Sequence, residues 1–149
     1  MLFFDKIILG DDNMECLFCK IIDGQIPCFK IYEDDVVLAF LDINPDSDGH
    51  TLIIPKKHHT DLNDIDLDTL RCINDASKKI KNLLEKKLNC NGLSLLQNNG
   101  DVQEVKHYHM HLKPHYNNKK SIEMVKHNEY IKDPKEIYDI LIEDNKKEY

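Results

Sequence analysis

The sequence predicts a single α+β domain built on an antiparallel sheet with a few helices. Two observations lead to this fold class. Short runs rich in apolar and β-branched residues follow one another across turns, and strands joined by such short connections pair antiparallel. Only one long segment carries helical periodicity, so the helices are too few to alternate with strands in a parallel sheet. A chain of 149 residues leaves room for one such domain.

The first half of the chain predicts a short helix followed by three strands. Apolar spacing indicates a helix over residues 15–22, which Gly24 and a nearby proline close. Residues 28–32 and 36–41 flank an acidic turn and predict a β-hairpin. Residues 51–54 form a short β-rich run between a glycine and a proline, which predicts a third strand.

The second half predicts one long helix, two strands and a final helix. Residues 66–88 carry leucine and isoleucine near a 3.6-residue spacing, as a helix packed on a sheet requires. Residues 93–97 and 105–112 predict strands on either side of a turn at 98–101. Near the end, Asp133 and Pro134 match an N-cap and a first helical residue.

Composition excludes several classes of function. The net charge is −7 and Arg71 is the only arginine, so no basic stripe is available for a nucleic-acid backbone. No apolar run reaches the length of a transmembrane helix, and the first ten residues lack the features of a secretory signal, so we expect a cytoplasmic protein. Five cysteines form an odd set that does not suit a disulfide framework, which favours reduced thiols.

The strongest chemical signal is the alternation of His107, His109 and His111. Side chains of a strand alternate between faces, so an extended segment places these three imidazoles on one face and its apolar residues on the other. A solvent-facing strand that happens to be rich in histidine is the plain alternative. A zinc site formed by the three imidazoles is another, since neutral histidines ligate zinc.

A second signal is the pair Cys16 and Cys19, which a helical turn would place on one face. A redox pair of the thioredoxin type needs a βαβ context that this sequence lacks. Two core cysteines without a special role are also possible. Zinc is the favoured interpretation, and two thiolates then need two further ligands, for which His58, His59 and the histidine-rich segment are available.

Together these motifs closely resemble the histidine triad (HIT) superfamily, in particular its Hint-like and bacterial-type members. The resemblance extends from Cys16 to about Tyr116, and the matching segments are 16–22, 26–27, 32–35, 39–45, 49–58 and 103–111. It implies a five-stranded antiparallel sheet with packed helices, doubled by homodimerisation into a ten-stranded sheet. We therefore expect a HIT domain over residues 14–116, an extension at 1–13 and a partly helical tail at 117–149.

The resemblance also implies an activity, namely binding of purine nucleotides and hydrolysis at the α-phosphate through a covalent nucleotidyl-histidine. The middle histidine, His109, is then the nucleophile, while His111, His50 and His107 complete the catalytic set. The residues matched to nucleotide binding are Asp42 for the ribose, Phe40, Leu41 and Ile43 for the base, and Asn98 and Gln103 near the phosphates. For the bacterial-type branch, the implied structural zinc ligands are Cys16, Cys19, His58 and His107, and catalysis needs no metal.

An adenosine 5'-monophosphoramidase is the function that this resemblance favours. The alternatives are a dinucleoside polyphosphate hydrolase and a non-catalytic zinc- or nucleotide-binding module. The chain departs from the family pattern at three places. Val102 replaces a glycine of the phosphate loop, Glu104 stands where some members have serine, and Lys113 begins a Lys-Pro-His ending in place of a Pro-Arg ending.

Overall fold

The computed structural model describes residues 15–117 and 125–143, so the predicted extension at 1–13 lies outside the described residues. Five antiparallel strands form one sheet in the order β1-β2-β3-β5-β4, which confirms the predicted fold class. The elements in chain order are α1 (Leu17–Ile22), β1 (Lys30–Glu33), β2 (Val37–Leu41), β3 (Thr51–Pro55), α2 (Leu67–Leu88), β4 (Gly92–Gln97), β5 (Met110–His115) and α3 (Pro134–Glu143), with 3-10 turns at Gly100–Val102 and Asn128–Tyr130.

The hairpin of β1 and β2 is closed by an acidic turn, as the sequence predicts. The Asp34 carboxylate accepts hydrogen bonds from the backbone N–H groups of Val36 and Val37 at 2.8 and 2.9 Å. These bonds satisfy two donors that the turn would otherwise leave without partners. The turn thereby sets the register in which β2 enters the centre of the sheet.

Helix α2 begins and ends at recognisable caps. The Asp66 carboxylate accepts the N–H of Thr69 at 3.0 Å, which makes it the N-cap. Asn89 adopts a left-handed conformation with φ of 53° and ends the helix. Between them, Ile73, Ile80 and other apolar side chains at helical spacing are buried against the sheet.

The sheet has two covered faces with separate apolar clusters. One cluster joins α2 to the sheet and contains Val37, Ala39, Ile53, Ile65, Ile73, Ala76, Ile80, Leu84, Tyr108 and Leu112. The other lies beneath α1 and contains Cys16, Phe18, Leu38, Phe40, Leu52 and Ile54. Neighbouring residues of β2 and β3 alternate between the two clusters, as the period of a strand requires. The α1 face is therefore the one on which short elements leave room for a site.

The prediction for the last strand is wrong at both ends. Residues 104–107 bend, the Tyr108 N–H donates to the carbonyl of His59 at 2.6 Å outside the sheet, and β5 begins only at Met110. The strand then continues through Pro114 to His115. Proline is tolerated there because β3 pairs only with residues 110–112, so β5 has a single neighbour at Pro114.

The predicted tail contains α3, and the predicted start of that helix is confirmed. The Asp133 carboxylate accepts the N–H of Lys135 at 2.7 Å, and the helix begins at Pro134. Its apolar residues, which include Ile140 and Leu141, are exposed. Within the described ranges, no helix combines the length and apolarity that crossing a membrane requires.

Candidate active site and metal cluster

Four side chains at alternate positions line up on the α1 face, namely His107, His109, His111 and Lys113. The imidazoles of His109 and His111 lie 4.9 Å apart between ring centroids, and Phe18 of α1 contacts both His107 and His109 at 5.8 and 5.1 Å. The predicted alternation is confirmed although β5 starts after His109, since these imidazoles lie next to one another while Tyr108 packs in the other apolar cluster. On the opposite face, Tyr108 and Leu112 enter the core.

The tautomer of His109 is fixed by the main chain. Its Nδ1–H donates to the carbonyl oxygen of His107 at 2.7 Å. A neutral imidazole carries one proton, so this bond leaves a lone pair on Nε2. Burial lowers the pKa of His109, which keeps the ring neutral and the lone pair available near neutral pH. His109 thus has the protonation state that a nucleophile requires.

His50 and His111 form a second hydrogen-bonded unit. The backbone N–H of Asp46 donates to His50 Nδ1 at 3.1 Å, so the proton of a neutral His50 is on Nε2. That Nε2 lies 2.9 Å from His111 Nδ1 and donates to it, which leaves the proton of His111 on its own Nε2. Burial lowers the pKa of His50, and it lowers the pKa of His111 to about 4. Both rings are therefore neutral donors at neutral pH.

These histidines open onto a pocket of about 310 Å³. Its lining combines imidazoles, carboxylates, amides and one lysine, a polar set that suits a charged ligand. The lining residues are Asp42, Asn44, Asp46, His50, Asn98, Val102, Glu104, His109, His111 and Lys113. The predicted His50, His109, His111, Asp42 and Asn98 therefore meet at one site.

The apolar residues predicted to flank a base do not converge. Phe40 is buried and packs edge-on against Phe18 with ring centroids 5.7 Å apart, whereas Ile43 is 78% exposed beside the pocket. Leu41 faces the other side of the sheet, where it lines a second groove with the C-terminal half of α2; this groove shares only Asp42 and His50 with the pocket. Residues 40 and 41 are neighbours in β2, and strand geometry sends their side chains to opposite faces.

Gln103 also lies outside the pocket lining. Its side chain is 5% exposed, and its amide N–H donates to the carbonyl of Thr60 at 2.7 Å. This bond ties the segment before the histidines to the loop after β3. In this structure Gln103 therefore supports the backbone that leads into the site.

The predicted metal ligands Cys16, Cys19, His58 and His107 come together, and their donor atoms all lie within 4.8 Å of one another. Nδ1 of His107 lies 3.1 Å from Nδ1 of His58 and 3.4 Å from Sγ of Cys16, and Cys19 Sγ lies 3.3 Å from His58 Nδ1. A tetrahedral zinc ion with ordinary bond lengths needs N···N and S···N separations of about 3.3 and 3.6 Å. The Cys2His2 cluster therefore has the size and donor set of a closed zinc site.

His107 connects this cluster to the pocket. Its Nε2–H donates to the carbonyl of Pro55 at 2.9 Å, which leaves Nδ1 free to face the two thiols and His58. Burial lowers its pKa to about 4, so the ring is a neutral ligand. Its own carbonyl holds the tautomer of His109. His59, the other histidine available in the sequence, lies outside the cluster with Nε2 3.6 Å from Asp66.

A family model described as the HIT domain matches residues 23–118, which is more than half of the chain. The chain belongs to the HIT family. The match includes the segment 107–111 and the pocket built on it, so the resemblance drawn from the motifs is confirmed.

Individual relatives agree with this assignment. An uncharacterized HIT-like protein of Methanocaldococcus jannaschii is 48% identical over 103 residues, which cover 68% of this chain and 79% of the relative. The adenosine 5'-monophosphoramidase HNT1 of Saccharomyces cerevisiae is 45% identical over 101 residues, 66% of this chain and 61% of the yeast protein. A zinc-bound histidine triad family protein from Mycobacterium smegmatis superposes with a TM-score of 0.70 at 34% identity, covering 82% of this chain and 85% of that one.

Sequence reasoning missed the contribution of the loop between β2 and β3. Asn44 and Asp46 line the pocket, and the backbone of Asp46 fixes a histidine tautomer. Backbone donors leave no signal in residue identity, so only the structure could find that role. Lys113, by contrast, could be found from the alternation, since it is the next residue on the face of the three histidines.

Proposed function

We propose that this HIT protein hydrolyses purine nucleotides at the α-phosphate, and that its preferred substrate is an adenosine 5'-monophosphoramidate. The observation that carries the proposal is the hydrogen bond from His109 Nδ1–H to the His107 carbonyl, because it leaves Nε2 as a neutral nucleophile at the edge of a polar pocket. The activity named for the yeast relative, at 45% identity, supports the choice of substrate.

In this mechanism Nε2 of His109 attacks the α-phosphorus, and the bond from phosphorus to the leaving nitrogen breaks. The leaving amine departs with the bonding electron pair and takes up a proton from solvent water. Attack by water on the nucleotidyl-histidine then releases AMP and restores the ring. The Nε2–H of His111 donates to a non-bridging phosphate oxygen, and His50 holds His111 in the tautomer that can do so. Catalysis then depends on positioning and on local charge stabilisation.

The remaining pocket residues orient the nucleotide in this proposal. The Asp42 carboxylate accepts hydrogen bonds from the ribose hydroxyls, and Asn98 donates to the phosphate. Ile43 is exposed next to Asp42 and covers one side of the base, while Phe40 supports that region from the buried side. Leu41 and Gln103 act from behind the pocket through the positions of their neighbours.

Hydrolysis of an AMP amidate by the purified protein, measured with a chelator present, tests the proposal. We expect His109→Ala to abolish turnover, and we expect mass spectrometry of wild-type protein quenched during turnover to find an AMP adduct on His109. His115→Ala is the matched control, since His115 lies on the same strand but outside the pocket lining. Full activity in His109→Ala would remove this residue as the nucleophile.

A second candidate substrate is a dinucleoside polyphosphate, and one observation favours it. Lys113 lines the pocket, and two of its three Nζ hydrogens remain after the ion pair with Asp46, so they can donate to the phosphate oxygens of a leaving group that an amine does not provide. Comparing kcat/KM for the AMP amidate and for diadenosine tetraphosphate decides between them. Nucleotide binding without a trapped adduct or turnover would instead indicate a binding module.

We also propose that the Cys2His2 cluster holds a structural zinc ion. The separations of its donor atoms and the zinc-bound mycobacterial relative support this assignment. With four protein ligands no position is left open for substrate, so zinc would stabilise the packing of α1 rather than take part in catalysis. Metal analysis of Cys16→Ser should show that bound zinc is lost, whereas Cys72→Ser should retain one equivalent. Equal zinc content in the two variants would contradict the assignment.

The proposed assembly is a homodimer in which two sheets join along β4. This strand is at an edge of the sheet and exposes Leu95 and Leu96 on its two faces. An exposed apolar edge strand is unfavourable in a monomer. Light scattering should give the mass of a dimer for the wild type and of a monomer for Leu95→Lys, and a monomeric wild type would refute the proposal.

A further inference from the structure

An ion pair links the strand of the histidines to the loop that faces them. Nζ of Lys113 lies 2.6 Å from Oδ2 of Asp46. The Lys113 side chain is 14% exposed, so it lies along the pocket wall rather than in solvent. The Asp46 side chain is 52% exposed, so only the lysine end of the pair is shielded from solvent.

The residue held by this ion pair also makes the hydrogen bond to Nδ1 of His50, whereas the Asp42 carboxylate lies 3.6 Å from Nε2 of that ring, beyond hydrogen-bond distance. The N–H of Asp46 donates to His50 Nδ1 at 3.1 Å, and His50 Nε2 donates to His111 Nδ1 at 2.9 Å. The contacts therefore lead from Lys113 to the carboxylate and backbone of Asp46, then through the ring of His50 to that of His111. His111 lies on β5, two residues before Lys113. Each of these contacts is within hydrogen-bond distance.

We propose that Lys113 is a positioning residue whose ion pair with Asp46 fixes the tautomers of His50 and His111. Without the pair, the N–H at residue 46 is free to move away from Nδ1 of His50. The proton of His50 can then move to Nδ1, and Nε2 becomes an acceptor facing another acceptor. His111 would have to change its tautomer in turn, and it would present a lone pair instead of an N–H to the pocket.

The location of the pair favours positioning over a direct role of the lysine in binding. Of the three hydrogens on Nζ, one points to the carboxylate of Asp46, and the two charges largely offset each other. The ammonium group of Lys113 contacts the loop between β2 and β3 through Asp46. Loss of this group therefore removes the restraint on the loop, while the aliphatic stem can stay on the strand face that it shares with His111. Lys113→Met keeps most of that stem and therefore isolates the effect.

The test combines nitrogen NMR of the histidine rings with kinetics on an AMP amidate. The kinetic part rests on the proposed function, whereas the NMR part does not. Ring ¹⁵N shifts of wild-type protein should show His50 and His111 with the proton on Nε2, and Lys113→Met should show both tautomers. We expect kcat to fall about tenfold or more with little change in KM, because a displaced hydrogen-bond donor weakens the transition state more than substrate binding.

Two further variants complete the design. Lys113→Arg should restore the wild-type tautomers, and the double variant Lys113→Met with Asp46→Asn should be no worse than either single variant, because both remove one interaction. Lys56→Met is the matched control. Lys56 directly follows β3, and the variant breaks its 2.9 Å ion pair with Glu33, which is not part of the pocket lining. Thermal unfolding of each variant shows whether it is folded.

The outcomes separate the possible roles. Unchanged tautomers in folded Lys113→Met would overturn the proposal, even with a lower kcat, because the lysine would then act through its charge alone. Changed tautomers in Lys113→Met with an unchanged kcat would overturn the claim that the positioning by Lys113 matters for catalysis. If the wild-type protein shows no amidate turnover at all, the proposed function fails, and the NMR comparison still decides the positioning role.

Discussion

Replacing His111 by asparagine should make the protein less sensitive to acid. The pKa of His111 is lowered to about 4 by burial, whereas an unfolded chain has a histidine pKa near 6.5. As the pH falls below 6.5, the unfolded state therefore binds a proton that the native state does not. The free energy of unfolding decreases over the window from about 6.5 down to about 4. The asparagine side chain of the variant would carry no such proton, and its amide oxygen can still accept from His50.

The magnitude follows from the two pKa values. Between pH 7 and pH 5 the unfolded histidine gains about 2 kcal/mol from protonation, while the native ring gains almost nothing. The native ring keeps partial exposure, so solvent screening reduces the expected difference to about 1 kcal/mol. Carboxylates and the Cys2His2 cluster also respond to pH in both proteins, and Asp46 does so in part through the charge of His111 itself. The comparison between variant and wild type therefore reports the ring at position 111 together with its coupling to the groups that face it.

Urea unfolding at the two pH values, with zinc supplied, measures this difference. The stability lost between pH 7 and pH 5 should be about 1 kcal/mol smaller in His111→Asn than in the wild type. His115→Asn is the control, because it removes a histidine of the same strand that lies outside the pocket lining. An equal loss in wild type and His111→Asn would refute the reasoning that burial keeps this ring neutral.

Three further predictions concern stability. Gly49→Ala should destabilise the protein by about 2 kcal/mol, because the φ of +86° disfavours a side chain and a Cβ would lie 2.7 Å from Leu88 Cδ1. Urea unfolding measures the loss, and an unchanged free energy of unfolding would contradict the prediction. Asp66→Ala should lower the urea midpoint by removing the acceptor for the N–H of Thr69, whereas Asp66→Asn should lower it less. Removing zinc with a chelator should lower the melting temperature of the wild type and leave that of Cys16→Ser unchanged.

The periodic elements could be predicted from the sequence because their signals are local. Helix α2 follows the predicted range from its cap at Asp66 to Leu88, and the hairpin follows the acidic turn. The start of β5 could not be predicted, since Val105 and the residues after it alternate like a strand. The backbone N–H of Tyr108 bonds to the carbonyl of His59 instead of to a neighbouring strand. Because His59 is distant along the chain, this contact leaves no local sequence pattern.

For the site, the sequence predicted which side chains line the pocket but not which backbone groups hold them. The histidines, Asp42 and Asn98 were found by pattern and resemblance, and they line one pocket. The contacts that set the tautomers come from main-chain groups of residues 46, 55 and 107, which any amino acid other than proline at 46 could supply. Leu41 was grouped with Phe40 by adjacency, although strand geometry sends neighbours to opposite faces.

The link between Cys16 and His107 determines when the site can form during synthesis. The two side chains are 91 positions apart, so the N-terminal helix leaves the ribosome long before its partner exists. A six-residue helix is not stable alone, and Phe18 has no apolar surface to cover it until the sheet is in place. Until His107 has been synthesised, Cys16 and Cys19 lack one of the side chains with which they form the cluster. His109, whose tautomer depends on the carbonyl of His107, therefore reaches its final geometry only after both ends of the described domain are present.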